Sequence, residues 1–321
     1  MLYLDDMTAL AFWRLVSIGW LEQPSPCDAR APEDSCVSAE HLRQARALLG
    51  SASKDELRVL VGSQSTLSRR EGALVSVLEA SRPLPAGSFF EVGGQLRVVS
   101  PELCFVRLAR HMNETELALV GMELCGMYRA NPMTHRVEYG CTPLCTVQSL
   151  CSMIEDLPKT AGRKRARVVA RRLADGAASP QESVLYLLAS TSTRLGGYGL
   201  PKPLLNPPAT LDETAQLIAG QGEARCDLYW AKQRVIVEYD SDEFHVRTRA
   251  SDAERRDGLE SMGNRVMTIT TAQLKSFARL DACMTTLARY LGRRRQPSDK
   301  AIRDRRLTLY LDLKAASRNR T

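Results

Sequence analysis

Apolar residues in the first part of the chain recur mostly at helical spacing. Within residues 1–20, Leu10, Trp13 and Val16 fall on one stripe, which predicts an amphipathic helix facing a core. HLRQARALLG and KDELRVLVG show similar spacing, each with glycine just past its last turn, as a helix stop requires. The period then changes to two. FFEV and QLRVV are β-rich runs joined by Gly93-Gly94, a pair able to take the positive φ values of a tight hairpin turn. Ser100-Pro101 opens a further helix, PELCFVRLARHM, with serine as cap and proline in its first turn. Helix, helix, hairpin, helix is the order of a winged helix-turn-helix, and equally of another small α+β domain. QSTLSRREGALVSVL carries no clean recognition-helix signature. Residues 1–155 are therefore expected to form a mixed, mostly helical α+β domain with one hairpin, suited to DNA binding or regulation.

A second patterned region follows a break. Residues 156–178 combine a proline, two glycines and a basic run, and read as a linker that is helical in part. Ser179-Pro180-Gln181-Glu182 then starts a helix continuing SVLYLLAS, and Ser179 with Glu182 fits a capping box. RCDLYW and RVIVEYD are β-rich, and the short AKQ between them implies an antiparallel hairpin. A turn centred on Lys232-Gln233 sets Asp227 directly opposite Glu238, and Asp240 shares their face by the period of two. Opposed Cβ atoms are about 4.5–5.5 Å apart, where like charges destabilise a sheet. A divalent cation would offset that repulsion, since Mg²⁺ binds one or two carboxylates and completes its shell with water and phosphate oxygens. The alternative is a solvated face with the repulsion screened. A helix over 251–262, stopped by Gly263, and a buried strand RVMTIT complete a domain over 179–292, leaving 293–321 as a basic tail.

Length and charge refine this picture. With 321 residues the chain can form two domains, each with its own core. The net charge of +7 is not spread evenly. The tail from Arg293 carries ten Lys or Arg against three Asp, and residues 159–173 carry seven basic residues and no acid. Arg163, Lys164, Arg165 and Arg167 of the latter run are candidate contacts to DNA phosphates. Either run also fits a solvated surface. The loop with Gly196, Gly197 and Gly199 lacks the G-K-[ST] ending of a phosphate-binding loop. Nine cysteines at irregular spacing fit free thiols in a reducing compartment, and no signal peptide or membrane span is read, so a cytoplasmic protein is expected. Cys125, His135, Cys141, Cys145 and Cys151 lie close in sequence, but without the paired short knuckles of common zinc folds. They are read as ordinary core residues.

The acidic constellation carries a resemblance. An acid early in a helix (Glu182), an aspartate on one strand (Asp227), E-x-D ending the next (Glu238, Asp240), a histidine soon after (His245), and a helix with Asp252, Arg255, Leu259 and Gly263 leading to RVMTIT resemble the PD-(D/E)XK nuclease superfamily, in its very-short-patch-repair-like branch. The resemblance covers about 100 residues. It implies an α/β restriction-endonuclease-like domain with a central mixed sheet. It also implies a metal-dependent DNA endonuclease in defence or repair, with Mg²⁺ (or Mn²⁺) held by Asp227, Glu238 and the carbonyl of Tyr239. Glu182 would assist, and Arg255 would reach a phosphate. The chain departs from the family where Asp240 replaces the usual lysine, and His245 is the residue best suited to substitute as base. ELCGMYR and the hairpin before SPELCF faintly resemble abortive-infection antitoxins of type IV, which implies the alternative of a non-catalytic DNA-binding regulator on a degenerate nuclease fold.

Overall fold

The chain is a mixed α+β protein that divides into two units, residues 1–173 and 174–318. The computed structural model describes residues 1–29, 31–53, 56–63, 71–78, 82–240, 249–293 and 299–318.

The first unit is organised by its first strand. β1 (Leu2–Leu4) is wholly buried and is followed by α1 (Asp6–Ser17), which buries Leu10, Trp13 and Val16 as its stripe predicts. Next come β2 (Ser25–Pro26), α2 (Ala39–Leu49), β3 (Leu57–Val61), β4 (Ala73–Val77), β5 (Phe89–Gly93) and β6 (Leu96–Val99). They form a six-stranded mixed sheet in the order β2-β5-β6-β1-β3-β4, with β1 parallel to β6 and antiparallel to β3. This sheet corrects two expectations. Within KDELRVLVG, residues Leu57–Val61 form a strand and not a helix, because the near-continuous apolar run LRVLV is buried between β1 and β4, where a helix would keep one polar side. Helix still outweighs strand in this mixed unit, but it is not a winged helix, since the predicted hairpin β5–β6 is one part of a larger sheet and ALVSV is one of its edge strands, β4.

The helices of this unit are α3 (Pro101–Leu108), α4 (Glu114–Leu124), α5 (Val147–Asp156) and α6 (Arg163–Ala170), with a small hairpin of β7 (Tyr128–Ala130) and β8 (Val137–Tyr139) between α4 and α5. Ser100 caps α3 as expected, accepting from the Leu103 N–H at 3.1 Å. The basic run forms α6, which is docked within the first unit rather than serving as a linker. Gly162 at its start has φ +89°, and a Cβ there would meet the Val106 carbonyl at 2.4 Å. Asp5 and Arg107, both almost fully buried, form an ion pair at 2.7 Å, and Arg14 grips Glu123 through two contacts of 2.7 Å. The Cys125 and Cys145 thiols lie 3.8 Å apart in the interior.

The second unit runs α7 (Pro180–Ser190), β9 (Leu204–Leu205), β10 (Pro208–Thr210), α8 (Glu213–Ala219), β11 (Glu223–Arg225), β12 (Leu228–Trp230), β13 (Val235–Asp240), α9 (Arg249–Ser261), β14 (Arg265–Thr270), α10 (Thr271–Lys275), α11 (Phe277–Tyr290) and α12 (Lys300–Arg318). Its main sheet has the order β14-β13-β12-β9 and is mixed, with β13 parallel to β14 across the α9 crossover. The β12–β13 register is the predicted one: Trp230 faces Val235 and Leu228 faces Val237, around a tight turn at Ala231–Gln233 that Arg234 leaves with φ +52°. RCDLYW is not one strand, however. It breaks at Cys226–Asp227, and β11 pairs instead with β10 in a separate ribbon.

Helices α8 and α9 cover one face of the β12–β13 hairpin, burying Ile236, Cys226, Leu259 and Val266 together. They approach closely at Gly258, where a Cβ would come within 2.9 Å of the Ala219 Cβ and 3.0 Å of the Ala215 carbonyl. Over Lys300–Arg318 the expected basic tail is a helix, α12, which is amphipathic. It buries Arg306, Tyr310 and Leu313 and packs on α7, with Arg306 stacked 4.5 Å over the Tyr198 ring. No helix among the described residues is long and apolar enough to cross a membrane.

Candidate active site

Three acids of the second unit converge from three elements. Asp227 sits in the bend that separates β11 from β12, just beyond the last ladder pair. Its Oδ2 accepts the Tyr239 N–H at 2.7 Å, tying it to β13 one residue beyond Glu238, while its own carbonyl accepts the Asn206 N–H at 3.1 Å. Glu182, in the first turn of α7, is buried and fully engaged. Its oxygens accept from Ser179 Oγ and the Ala178 N–H, each at 2.9 Å, and from Asn206 Nδ2 at 2.5 Å. The predicted capping box is thus shifted by one residue, since Ser179 caps the Glu182 N–H but Glu182 reaches back to Ala178. Asn206 holds φ +48° and links the two acids.

Glu238 lies on β13 under α9. Its Oε2 accepts from Arg255 Nη2 at 2.9 Å, and Arg255 Nη1 also donates to the Arg225 carbonyl at 2.9 Å. Its other oxygen, Oε1, is buried with no hydrogen-bond partner among the described residues. Orphaned buried oxygens of this kind are rare in folded proteins and call for an explanation.

The electrostatics match this geometry. Burial first, and then the negative charge of Asp227, push Glu182 up to about 7 and Glu238 up to about 8 from an ordinary value of 4.5. Arg255 opposes the rise at Glu238. Asp227 is also raised, by burial, against the lowering effects of the Tyr239 N–H and Arg255. Acids whose pKa values are displaced by desolvation and by one another cluster at functional sites. The donors are all hard oxygens, which suit Mg²⁺ or Mn²⁺ rather than a soft metal. Among the described residues no group of three or more His, Cys, Asp or Glu side chains is arranged to hold a metal ion. Asp227 and Glu238 supply only two side chains, and Glu238 Oε1 is the atom of that pair left unsatisfied among the described residues.

No protein-family model, curated protein or solved structure matches the chain. The remaining candidates are therefore placed by geometry alone. Asp240 ends β13 half-buried, paired with Thr270, and its carbonyl accepts from Thr271 Oγ1 at 3.3 Å. His245 lies outside the described residues. Arg255 reaches the site, but grips Glu238 and a carbonyl instead of standing clear for a phosphate. The basic run is in the first unit. Arg163 donates to the Ile154 and Glu155 carbonyls and Arg165 to those of Ala109 and Met112, so both secure chain ends of neighbouring helices. Lys164 and Arg167 are exposed. Asn206 was not singled out from the sequence, although Asn-Pro in LLNPP is a turn signal that marks its position.

Proposed function

We propose that the second unit is a metal-dependent nuclease that hydrolyses phosphodiester bonds in DNA, with Asp227 and Glu238 as its metal ligands. The observation that carries this reading is the buried, unpartnered Oε1 of Glu238 beside the Asp227 carboxylate. The N–H and C=O of an extended residue point to the same side of its strand, so the Tyr239 carbonyl lies on the edge whose N–H Asp227 holds and can complete the set. A divalent ion bound there would polarise the scissile phosphate and lower the pKa of a coordinated water. The Tyr239 N–H fixes one Asp227 oxygen and leaves the other available. Three donors hold Glu182 rigid, so it orients Asp227 through Asn206 and adds negative charge that strengthens cation binding. Arg255 keeps Glu238 in its rotamer.

The test is nicking of supercoiled DNA with Mg²⁺ or Mn²⁺. Asp227→Ala and Glu238→Ala are each expected to lower the rate at least a hundredfold with an unchanged circular dichroism spectrum. Cleavage that survives both substitutions overturns the assignment. One observation favours a second reading, a non-catalytic DNA-binding regulator: Asp240 stands where the nucleases that the sequence resembles carry lysine, and Arg255 already neutralises part of the cluster. That reading predicts salt-sensitive DNA binding that neither EDTA nor Asp227→Ala alters.

A further inference from the structure

The first unit contains a cleft of about 790 Å³ that the nuclease reading does not use. Edge strand β4 forms one wall with Leu74, Val75 and Ser76, the turn after α3 forms another with Ala109, Arg110 and His111, and residues 159–167 close the third. Its charge is one-sided. Among the described lining residues Asp6 is the only acid, and it is already engaged by His111 Nε2 at 2.6 Å and Arg58 at 3.6 Å. Arg163 and Arg165 are committed to carbonyls, as described above. The side chains of Arg110, Lys159, Lys164 and Arg167 have no hydrogen-bond or ion-pair partner among the described residues.

Unpaired cations gathered around a concavity repel one another and focus a positive potential into it. At Arg110 burial, and then the neighbouring Arg107, lower the pKa against the raising effects of Asp5 and Asp6. Two further features point into the same space. α6 begins there at Gly162 with no side chain capping its first N–H groups, which adds the positive end of a helix to the cations. Asp6 holds φ +56°, a costly conformation for a side chain other than glycine, and in that position it fixes the His111 ring at the rim.

We propose that this cleft binds a small phosphorylated ligand of nucleotide size. Its phosphates would lie on Arg110, Lys164 and Arg167, and its apolar part against Leu74, Val75 and Ala109. The volume lies within the range of small-molecule pockets, roughly 300–1,000 Å³. The lining pairs apolar walls with a cationic rim, which suits a ligand that has both a flat apolar moiety and a phosphate chain. Duplex DNA carries its phosphates on a convex surface and cannot bring its bases to those walls.

The proposal is tested by titrating the full chain with ATP, AMP and pyrophosphate in a calorimeter at low salt with EDTA. One ATP per chain is expected, bound more tightly than AMP or pyrophosphate. The Lys164→Glu, Arg167→Glu double variant and, separately, Arg110→Ala are expected to weaken ATP at least tenfold with unchanged thermal unfolding. Asp227→Asn, in the other unit, is expected to leave ATP binding intact, which separates this outcome from the fate of the nuclease reading. Absence of binding by all three probes at millimolar concentration overturns the proposal, as does ATP binding that the basic variants leave undiminished. Equal affinity for ATP and pyrophosphate removes the role of the apolar wall and rejects a nucleotide. Displacement of ATP by an equimolar duplex oligonucleotide assigns the cleft to nucleic acid instead.

Discussion

The two units bury acids in opposite ways. In the first, Asp5 meets Arg107 and Ser76, and Glu123 meets Arg14 and the Ala130 N–H, so each of these two carboxylates has its own guanidinium and at least one neutral donor. In the second, among the described residues, Arg255 pairs with Glu238 but not with Glu182 or Asp227, and one Glu238 oxygen is left without a donor. A matched buried pair offsets its desolvation cost and helps fix one packing. An unmatched cluster must instead take up protons or a cation. Burial of charge alone is therefore poor evidence for chemistry, and the ratio of acids to donors is the better guide.

This contrast can be broken most forcefully in the first unit. Arg107→Ala leaves Asp5 buried and unpaired and should cost about 3–5 kcal/mol, read from the urea midpoint. A loss below about 1 kcal/mol, the range of an exposed pair, would remove the distinction between the units.

The second unit should respond to pH in a direction set by its raised carboxylates. Without divalent metal, Glu182 and Glu238 favour the protonated form in the folded state, with values of about 7 and 8 against an ordinary 4.5. Their contribution to stability is fully present below about pH 4.5 and is lost as pH rises through 7 and 8. Hydrogen exchange of the β12 and β13 amides in EDTA should therefore quicken, beyond its intrinsic pH dependence, between those limits. Added Mg²⁺ should reverse this at pH 8, where the acids are ionised. Protection that rises with pH in EDTA would contradict the cluster.

A smaller effect isolates one member. Glu182→Gln mimics the protonated acid: its amide oxygen can still accept from Ala178 and Asn206 while its NH2 donates to Ser179 Oγ, so it should stabilise the protein by on the order of 1 kcal/mol at pH 8 and change little at pH 5. Destabilisation at both values would mean that Glu182 is held as an ordinary capping carboxylate.

Much of this site was legible in the sequence because hairpin geometry is local. A short link and a period of two fix the register, and Trp230 opposite Val235 carries Asp227 to the level of Glu238. Ser100, Ser179 and Gly263 likewise mark element ends by local chemistry. What escaped depends on distant partners. Leu57–Val61 is a strand because β1 and β4 flank it, and β1 itself pairs with β6, more than ninety residues away. The grip of Arg255 on Glu238 and the bridge made by Asn206 arise from the crossover and from a left-handed turn, neither of which leaves a periodic signature. The basic terminal stretch shows the same effect, since only contact with α7 reveals which side of α12 is covered.

Gly258 gives α9 a property that no charged residue of the site supplies. Because the helix rests on Ala215 and Ala219 with no room for a methyl group, its height above the sheet is set by the absence of one carbon. Arg255 lies one turn earlier on the same helix, so that height also sets how far its guanidinium extends over Glu238. The α8–α9 contact works as a spacer of fixed thickness, and the charge balance of the acidic cluster is adjusted mechanically, from a position that carries no charge at all.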